Sequence, residues 1–461
     1  MKLLEEMVRG LKSVFHDMEY ILDDLDYIRH QKKLDKLKSL QHKRGEKRAR
    51  TALDAEASTS NKDIFVEPGF TLTGDLNPLV TKDIFELENL CSLVIDDTDM
   101  LGAVNTKFFE EVFKKLRKLR VLAVEATNVY LDLEIPETIG NLMHLRYLSL
   151  VIPWAKLLLP KTLDKLYHLQ VLTFGLASVK FSPDTNMGNL TSVRHIIGGL
   201  TISAPYISRL TSLQTFEPFK VRKKRGYELS QLTDLNKLRG LLRIRNLENV
   251  KSKREAYDAK LADKKGLTEL GLYWDDDTSC TPEVQEDVLE ALCPPKHLES
   301  LRIWYYQSPW YPSWMLSEQN GAPKYLKELH LNCRTQLGPA PKLFEVFTNL
   351  RELNIANCNW HHLPANVKDL RWLERLHIIN CWYIKLLPEL PRSLKKFKLL
   401  GDDDVFKSCK LEGHPNWQKL QHVGVQILEL SPIANAGFVS GSPMKIPGSM
   451  DRDEVEDSPS L

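Results

Sequence analysis

Apolar positions in this chain keep neither a single helical period nor a single strand period. They return instead as a nine-residue frame, L-x-x-L-x-x-L-x-L. Residues 142–150 read LMHLRYLSL, and the frame recurs as LRKLRVLAV (116–124), LYHLQVLTF (166–174), LTSLQTFEP (210–218), FTNLRELNI (347–355) and LRWLERLHI (370–378). Looser copies are LENLCSLVI (87–95), GLTELGLYW (266–274), HLESLRIWY (297–305), YLKELHLNC (325–333) and SLKKFKLLG (393–401). The closing L-x-L has the two-residue period of a strand, so its leucines point inward and the x residues point out. The preceding L-x-x-L lays two more apolar groups beneath it. One copy cannot hide these leucines alone, so neighbours must stack and share a core.

We place the first inward strand residue of each copy at Leu93, Leu122, Leu148, Leu172, Ile196, Phe216, Leu241, Leu270, Leu301, Leu329, Leu353, Leu376, Phe397 and Val423. The copies lie 20 to 31 residues apart. That spacing is close to the leucine-rich-repeat range. The fold class expected is therefore α/β: a leucine-rich-repeat solenoid of about fourteen repeats with a parallel concave sheet, whose inner arc is on the order of 65 Å at ~4.8 Å per strand. An unrelated helical bundle fails on Pro136, Pro160, Pro364 and Pro388, which recur after the strand where they would break a long helix. The pieces IPETIGN (135–141) and LPKTLDK (159–165) are expected to open short convex turns or helices.

Ahead of the repeats, Leu4, Met7, Leu11, Val14, Met18, Ile21, Leu25 and Ile28 form a heptad seam. Val8, Phe15 and Leu22 widen it toward a bundle-facing helix. Asp17, Glu19, Asp23, Asp24 and Asp26 make an acidic patch beside it. Four segments follow: a helical coiled-coil fragment at 1–40, a basic and polar linker at 41–82, the repeats at 83–430, and a disordered acidic tail at 431–461. The run HKRGEKRAR (42–50) reads better as a solvated linker than as a nucleic-acid contact, because no aromatics are interleaved for stacking on bases.

Composition sharpens this picture. The chain of 461 residues holds 75 leucines, and its formal charge is 63 − 61 = +2. A balance so near zero removes the simplest reason to expect a nucleic-acid ligand. The seven scattered cysteines, with no C-x-x-C pair, favour free thiols in a reducing compartment. No apolar run reaches the ~18 residues of a membrane span, and MKLLEEMVRG lacks the apolar centre of a secretory signal. The expectation is a soluble, cytoplasmic protein, with a nuclear or peripheral membrane pool left open, and without integral membrane association.

Several segments carry a family resemblance. VFHDMEYILDDLDYIRHQ (14–31) resembles the acidic EDVID-type motif of the coiled-coil nucleotide-binding leucine-rich-repeat immune receptors of plants. FEEVFKKLRKLRVLAV (109–124), GYELSQLTDLNKLRGLLRIRNLENV (226–250), DAKLADKKGLTELGLYWDDD (258–277) and YPSWM (311–315) resemble their repeats. The resemblance covers most of residues 1–430 and implies plant defence, with the acidic motif contacting the repeats. The departure is equally plain. No G-x-x-x-x-G-K-[ST] phosphate loop occurs, and about 45 residues between helix and repeats are too few for a nucleotide-binding domain. The chain reads as a truncated relative lacking that domain, and no ATP or other cofactor is expected.

Candidate chemistry is sparse. Cys358, His361, His377 and Cys381 have zinc-like spacing. However, His377 should point out of the concave face while both cysteines fill the turn slot inside the coil, so no metal is expected. No catalytic motif appears, and the acidic runs 275–277 and 402–404 lack a calcium-loop frame. Trp304, Tyr305, Tyr306, Trp310, Tyr311 and Trp314 admit two readings, an exposed binding hot spot or packing beneath an enlarged loop. Alternation puts Arg302, Trp304, His330, Asn354, His377 and Lys398 on the concave face as protein-binding residues. The function expected is non-catalytic recognition or scaffolding in plant innate immunity, with a pathogen effector, host protein or other receptor chain as partner. The alternative is a non-functional or regulatory decoy fragment acting on full-length relatives. The edge near Leu93 is expected to be bare.

Overall fold

In the computed structural model, residues 69–73, 85, 87, 89–97, 105–126, 132–199, 201–275, 280–333, 339–401 and 403–430 are described. The segments expected as coiled coil and acidic tail lie outside them, as do Asp17, Glu19, Asp23, Asp24 and Asp26.

Each leucine of the frame does what its position requires. Leu142, Leu145, Leu148 and Leu150 are all buried. Leu145 N–H donates to the Leu142 carbonyl at 2.9 Å, which closes the turn that feeds the strand. Tyr147–Val151 then pairs in parallel with the strands on both sides, Leu148 standing opposite Leu122 and Leu172. After the strand, Pro136 and Pro160 precede the 3₁₀ turns Glu137–Asn141 and Lys161–Lys165, as Pro364 precedes Ala365–Asp369. Proline suits such a start because its φ is already set and it has no N–H to leave unpaired.

Two all-parallel sheets line the inner wall. The first has seven strands and ends at Thr215–Phe216; the second has nine and begins at Phe219–Lys220. Pro218 lies between them, and with no N–H to donate it interrupts the ladder. A third, four-stranded parallel sheet, which the sequence reading did not anticipate, lies behind the first. It joins Asp132–Glu134, Lys156–Leu159, Ser178–Phe181 and Thr201–Ser203. In the second half, convex segments include helices such as Pro282–Ala291 and Asp403–Lys410.

Three expectations are corrected. The edge at Leu93 is not bare, because Gly69–Thr73, inside the stretch assigned to linker, hydrogen-bonds along it. Leu242, not Leu241, is the inward residue of its strand: a bulge between Gly240 and Leu241 shifts the register, so that Leu242 stands opposite Leu270. Val423 precedes the last strand, Val425–Leu430. It takes the second slot of the frame, and Gln426 takes the third, opposite Phe397.

Inside the turns after the strands, polar groups stack from coil to coil. Asn357 Nδ2 donates to Asn332 Oδ1 at 3.0 Å and Asn380 Nδ2 to Asn357 Oδ1 at 3.2 Å. Asn357 and Asn380 hold positive φ, which asparagine tolerates better than most residues. Lys264 is fully buried and donates Nζ to the Leu232 carbonyl at 2.6 Å.

Candidate functional site

Successive strands of the second sheet carry outward side chains in register, forming three parallel rows. The middle row runs Arg302, His330, Asn354, His377, Lys398 across five adjacent strands without a break. All five are half-buried by their neighbours. Trp304, two residues beyond Arg302, lies in the next row between Tyr273 and Asn332. The six expected concave residues thus share one surface.

A row that sequence reading missed supplies the electrostatics. Glu269, Ser300, Glu328, Glu352, Arg375 and Lys396 lie in register beside the middle row. Glu352 is its hub. Arg375 Nε lies 2.5 Å from one carboxylate oxygen, while His330 Nε2 and His377 Nδ1 each lie 3.8 Å from the other. Those imidazole separations are long for hydrogen bonds but short enough for a charge interaction. Glu328 lies 3.9 Å from His330 and 3.8 Å from Arg375. Its carboxyl is held down to about 2, chiefly by His330, with the Ser300 hydrogen bond and Arg302 assisting against partial burial. Alternation alone could have found most of this row, since every member but Glu269 sits two residues before one already named.

At the other end of the face the chemistry is aromatic. Tyr273 and Trp304 pack with ring centroids 5.8 Å apart, Tyr305 meets Trp304 edge-on at 6.2 Å, and the Arg245 guanidinium lies 5.6 Å over Tyr273. Gly271 makes room for this corner. A Cβ there would come within 2.5 Å of the Tyr273 ring, so the tyrosine leans across the middle row. The other aromatics divide. Tyr306 and Trp314 are core residues anchored by hydrogen bonds to the Trp310 and Leu289 carbonyls, whereas Trp310 is 64% exposed.

The zinc-like set does not converge. Cys358 Sγ lies 3.3 Å from the Ala356 carbonyl and Cys381 Sγ 3.5 Å from the Ile355 carbonyl, both inside the coil. Hydrogen bonds between neighbouring cysteines, followed by burial, push both thiols well above their usual range. His361 stacks on Tyr383, and His377 faces Glu352 on the opposite side of the strand. Of the acidic runs, Asp403 pairs with Lys407 and Asp404 with Lys385.

Fold and face together define a leucine-rich-repeat protein. Residues 229–358 match the family described as R13L1/DRL21 LRRs. The disease resistance protein RGA2 of Solanum bulbocastanum is 39% identical over 107 residues, 23% of this chain and 11% of that protein. RGA1 of the same species is 33% identical over 215 residues, 46% of this chain and 21% of its own length. Among solved structures, a leucine-rich-repeat protein of Leptospira interrogans overlaps with a TM-score of 0.40 and 19% identity, covering 75% of this chain and 91% of that one. This chain is related to plant disease resistance proteins and spans about a tenth to a fifth of the two relatives named here. Among the described residues, no helix is long and apolar enough to cross a membrane.

Proposed function

We propose that this chain is a non-catalytic recognition protein of plant innate immunity, acting in the cytoplasm, and that it binds a protein partner on the second concave sheet. The unbroken middle row carries this reading. The aromatic corner beside it at Tyr273 and Trp304 offers a half-buried anchor, and the row's charged members supply orientation. The partner class is a pathogen effector or a host protein, as the resemblance to disease resistance proteins suggests. A bulky ring at the centre of the row tests it. Asn354→Trp should weaken partner binding at least about tenfold and suppress the partner-dependent leaf response, because the best contacts cluster at an interface centre. Lys161→Trp, on a convex turn, should leave both unchanged. Equal behaviour of the two variants would remove the concave face from the function.

A second reading is a non-functional or regulatory decoy fragment acting on full-length relatives, favoured by the short stretch without a phosphate loop between the heptad seam and the repeats. Here Asp17, Glu19, Asp23, Asp24 and Asp26 would dock on the basic repeat segments KKLRKLR (114–120) and VRKKR (221–225). Lys114 and Lys115 in the first such segment already pair with Glu110 and Glu111, whereas residues 222–225 are all exposed. Charge reversal of the aspartates should weaken helix–repeat association at low salt; an unchanged pull-down would exclude that contact.

A further inference from the structure

The last strands of the second sheet carry a charge that no carboxylate among the described residues balances. Lys396 stands in register with Arg375, and Lys398 lies two residues on, on the same face. Like charges side by side on a sheet are unfavourable. Arg375 is engaged by Glu352 and Glu328, but among the described residues no carboxylate pairs with Lys396 or Lys398. On their other side stand Val425 and Ile427, not acids. Val425 is 52% exposed although it sits on a strand. Glu429, the one acid of that strand, lies further along, in register with Leu400. The surface is thus two half-buried lysines, unpaired among the described residues, beside exposed Val425 and half-buried Ile427, and its complement is an acidic segment with an apolar residue inside it.

The chain carries such a segment. Residues 451–457 read DRDEVED, five carboxylates against one arginine, with Val455 among them. Twenty-one positions separate Leu430 from Asp451. A coil of that length spans on the order of 25 Å root-mean-square, whereas the lysines lie one strand away from Val425–Leu430, about 5 Å. A tethered partner at that range has an effective concentration near the millimolar level, which lets individually weak surface charge pairs hold a contact.

We propose that residues 451–457 fold back onto Lys396, Lys398, Val425 and Ile427 and occupy the C-terminal end of the concave face. This contact does not depend on the identity of any outside partner. The test is lysine acetylation footprinting of the full chain, read by mass spectrometry. The variant neutralises the tail through Asp451→Asn, Asp453→Asn, Glu454→Gln, Glu456→Gln and Asp457→Asn, which leaves the repeats untouched. At low salt, Lys396 and Lys398 should react about threefold faster in the variant than in the native chain, while exposed Lys161 reacts equally in both. Raising the salt to about 0.5 M should bring the native chain to the variant's rate, since exposed pairs are screened over a few ångströms. Equal rates at low salt would overturn the proposal. So would protection that grows with protein concentration, because the occupant would then be the tail of a second copy.

Discussion

The two concave sheets share a backbone plan and differ in what they turn outward. In the first, the middle row reads Val94, Ala123, Ser149, Thr173, Ile197; in the second, Arg302, His330, Asn354, His377, Lys398. The first row has no charged member, and Ser149, Thr173 and Ile197 are buried even though they point away from the core. The buried row beside it includes His195, whose Nδ1 lies 3.2 Å from Thr215 Oγ1. Short side chains at strand spacing pack against one another and leave little to grip. The longer, charged and ring-bearing side chains of the second sheet pair with one another and still present donors, acceptors and a cation-capped aromatic corner. One repeat architecture thus yields a close-packed, uncharged middle row in one half and a charged, ring-bearing wall in the other, through the x positions alone.

The most severe test of this division is to hollow out each half. Leu148→Ala and Leu353→Ala remove fully buried leucines on either side of Pro218, and each should lower stability by about 2–5 kcal/mol. Urea unfolding followed by tryptophan fluorescence will tell whether the halves melt together. Two separated transitions after either substitution would mean that the break at Pro218 divides the array energetically as well as geometrically.

A somewhat smaller effect belongs to the first half alone. Burial, assisted by Arg194, lowers the His195 pKa to about 4. The folded chain therefore keeps this imidazole neutral down to about pH 4, while the unfolded chain takes up a proton below its ordinary value near 6.5. Stability should fall as pH drops between those values, by about 3 kcal/mol at most. His195→Leu should flatten that part of the pH profile. A slope that persists unchanged in the variant would assign it to other groups.

The smallest effect is confined to the second half. Glu352→Gln removes the carboxylate shared by Arg375, His330 and His377. It should cost about 1 kcal/mol, as expected for a partly solvated network, and less at high salt. An equal loss at high and low salt would point to packing instead of charge.

Much of this was readable from the order of residues. The L-x-x-L-x-x-L-x-L frame gave the inward positions of twelve strands, and alternation then placed all six concave candidates. The failures have local physical causes. Gly240, at φ +68° with open space around a would-be Cβ, permits the bulge that hands the inward place to Leu242. In VGVQIL (423–428), Val423, Val425 and Ile427 offer an apolar set in one register. The spacing from Leu420 selects the other, and Gln426 closes the end by donating Nε2 to the Leu420 carbonyl at 2.7 Å. The third sheet had a signal that went unread. LEIP (133–136), LLLP (157–160) and VKF (179–181) each place apolar residues two apart shortly before a proline. The charge hub escaped because His330 and Glu352 lie twenty-two residues apart and meet only through strand register.

The third sheet also sets how the molecule can flex. Four successive coils in the first half, between residues 132 and 203, are laced by hydrogen bonds along two separate lines, one in front and one behind. Coils sewn at both margins resist fanning apart, as pages do when glued along two edges. Past Pro218, the concave ladder is the one continuous seam among the described residues. A coil joined to its neighbours by a single sheet can tilt more freely, so a change of curvature costs less in the half that bears the charged and aromatic wall.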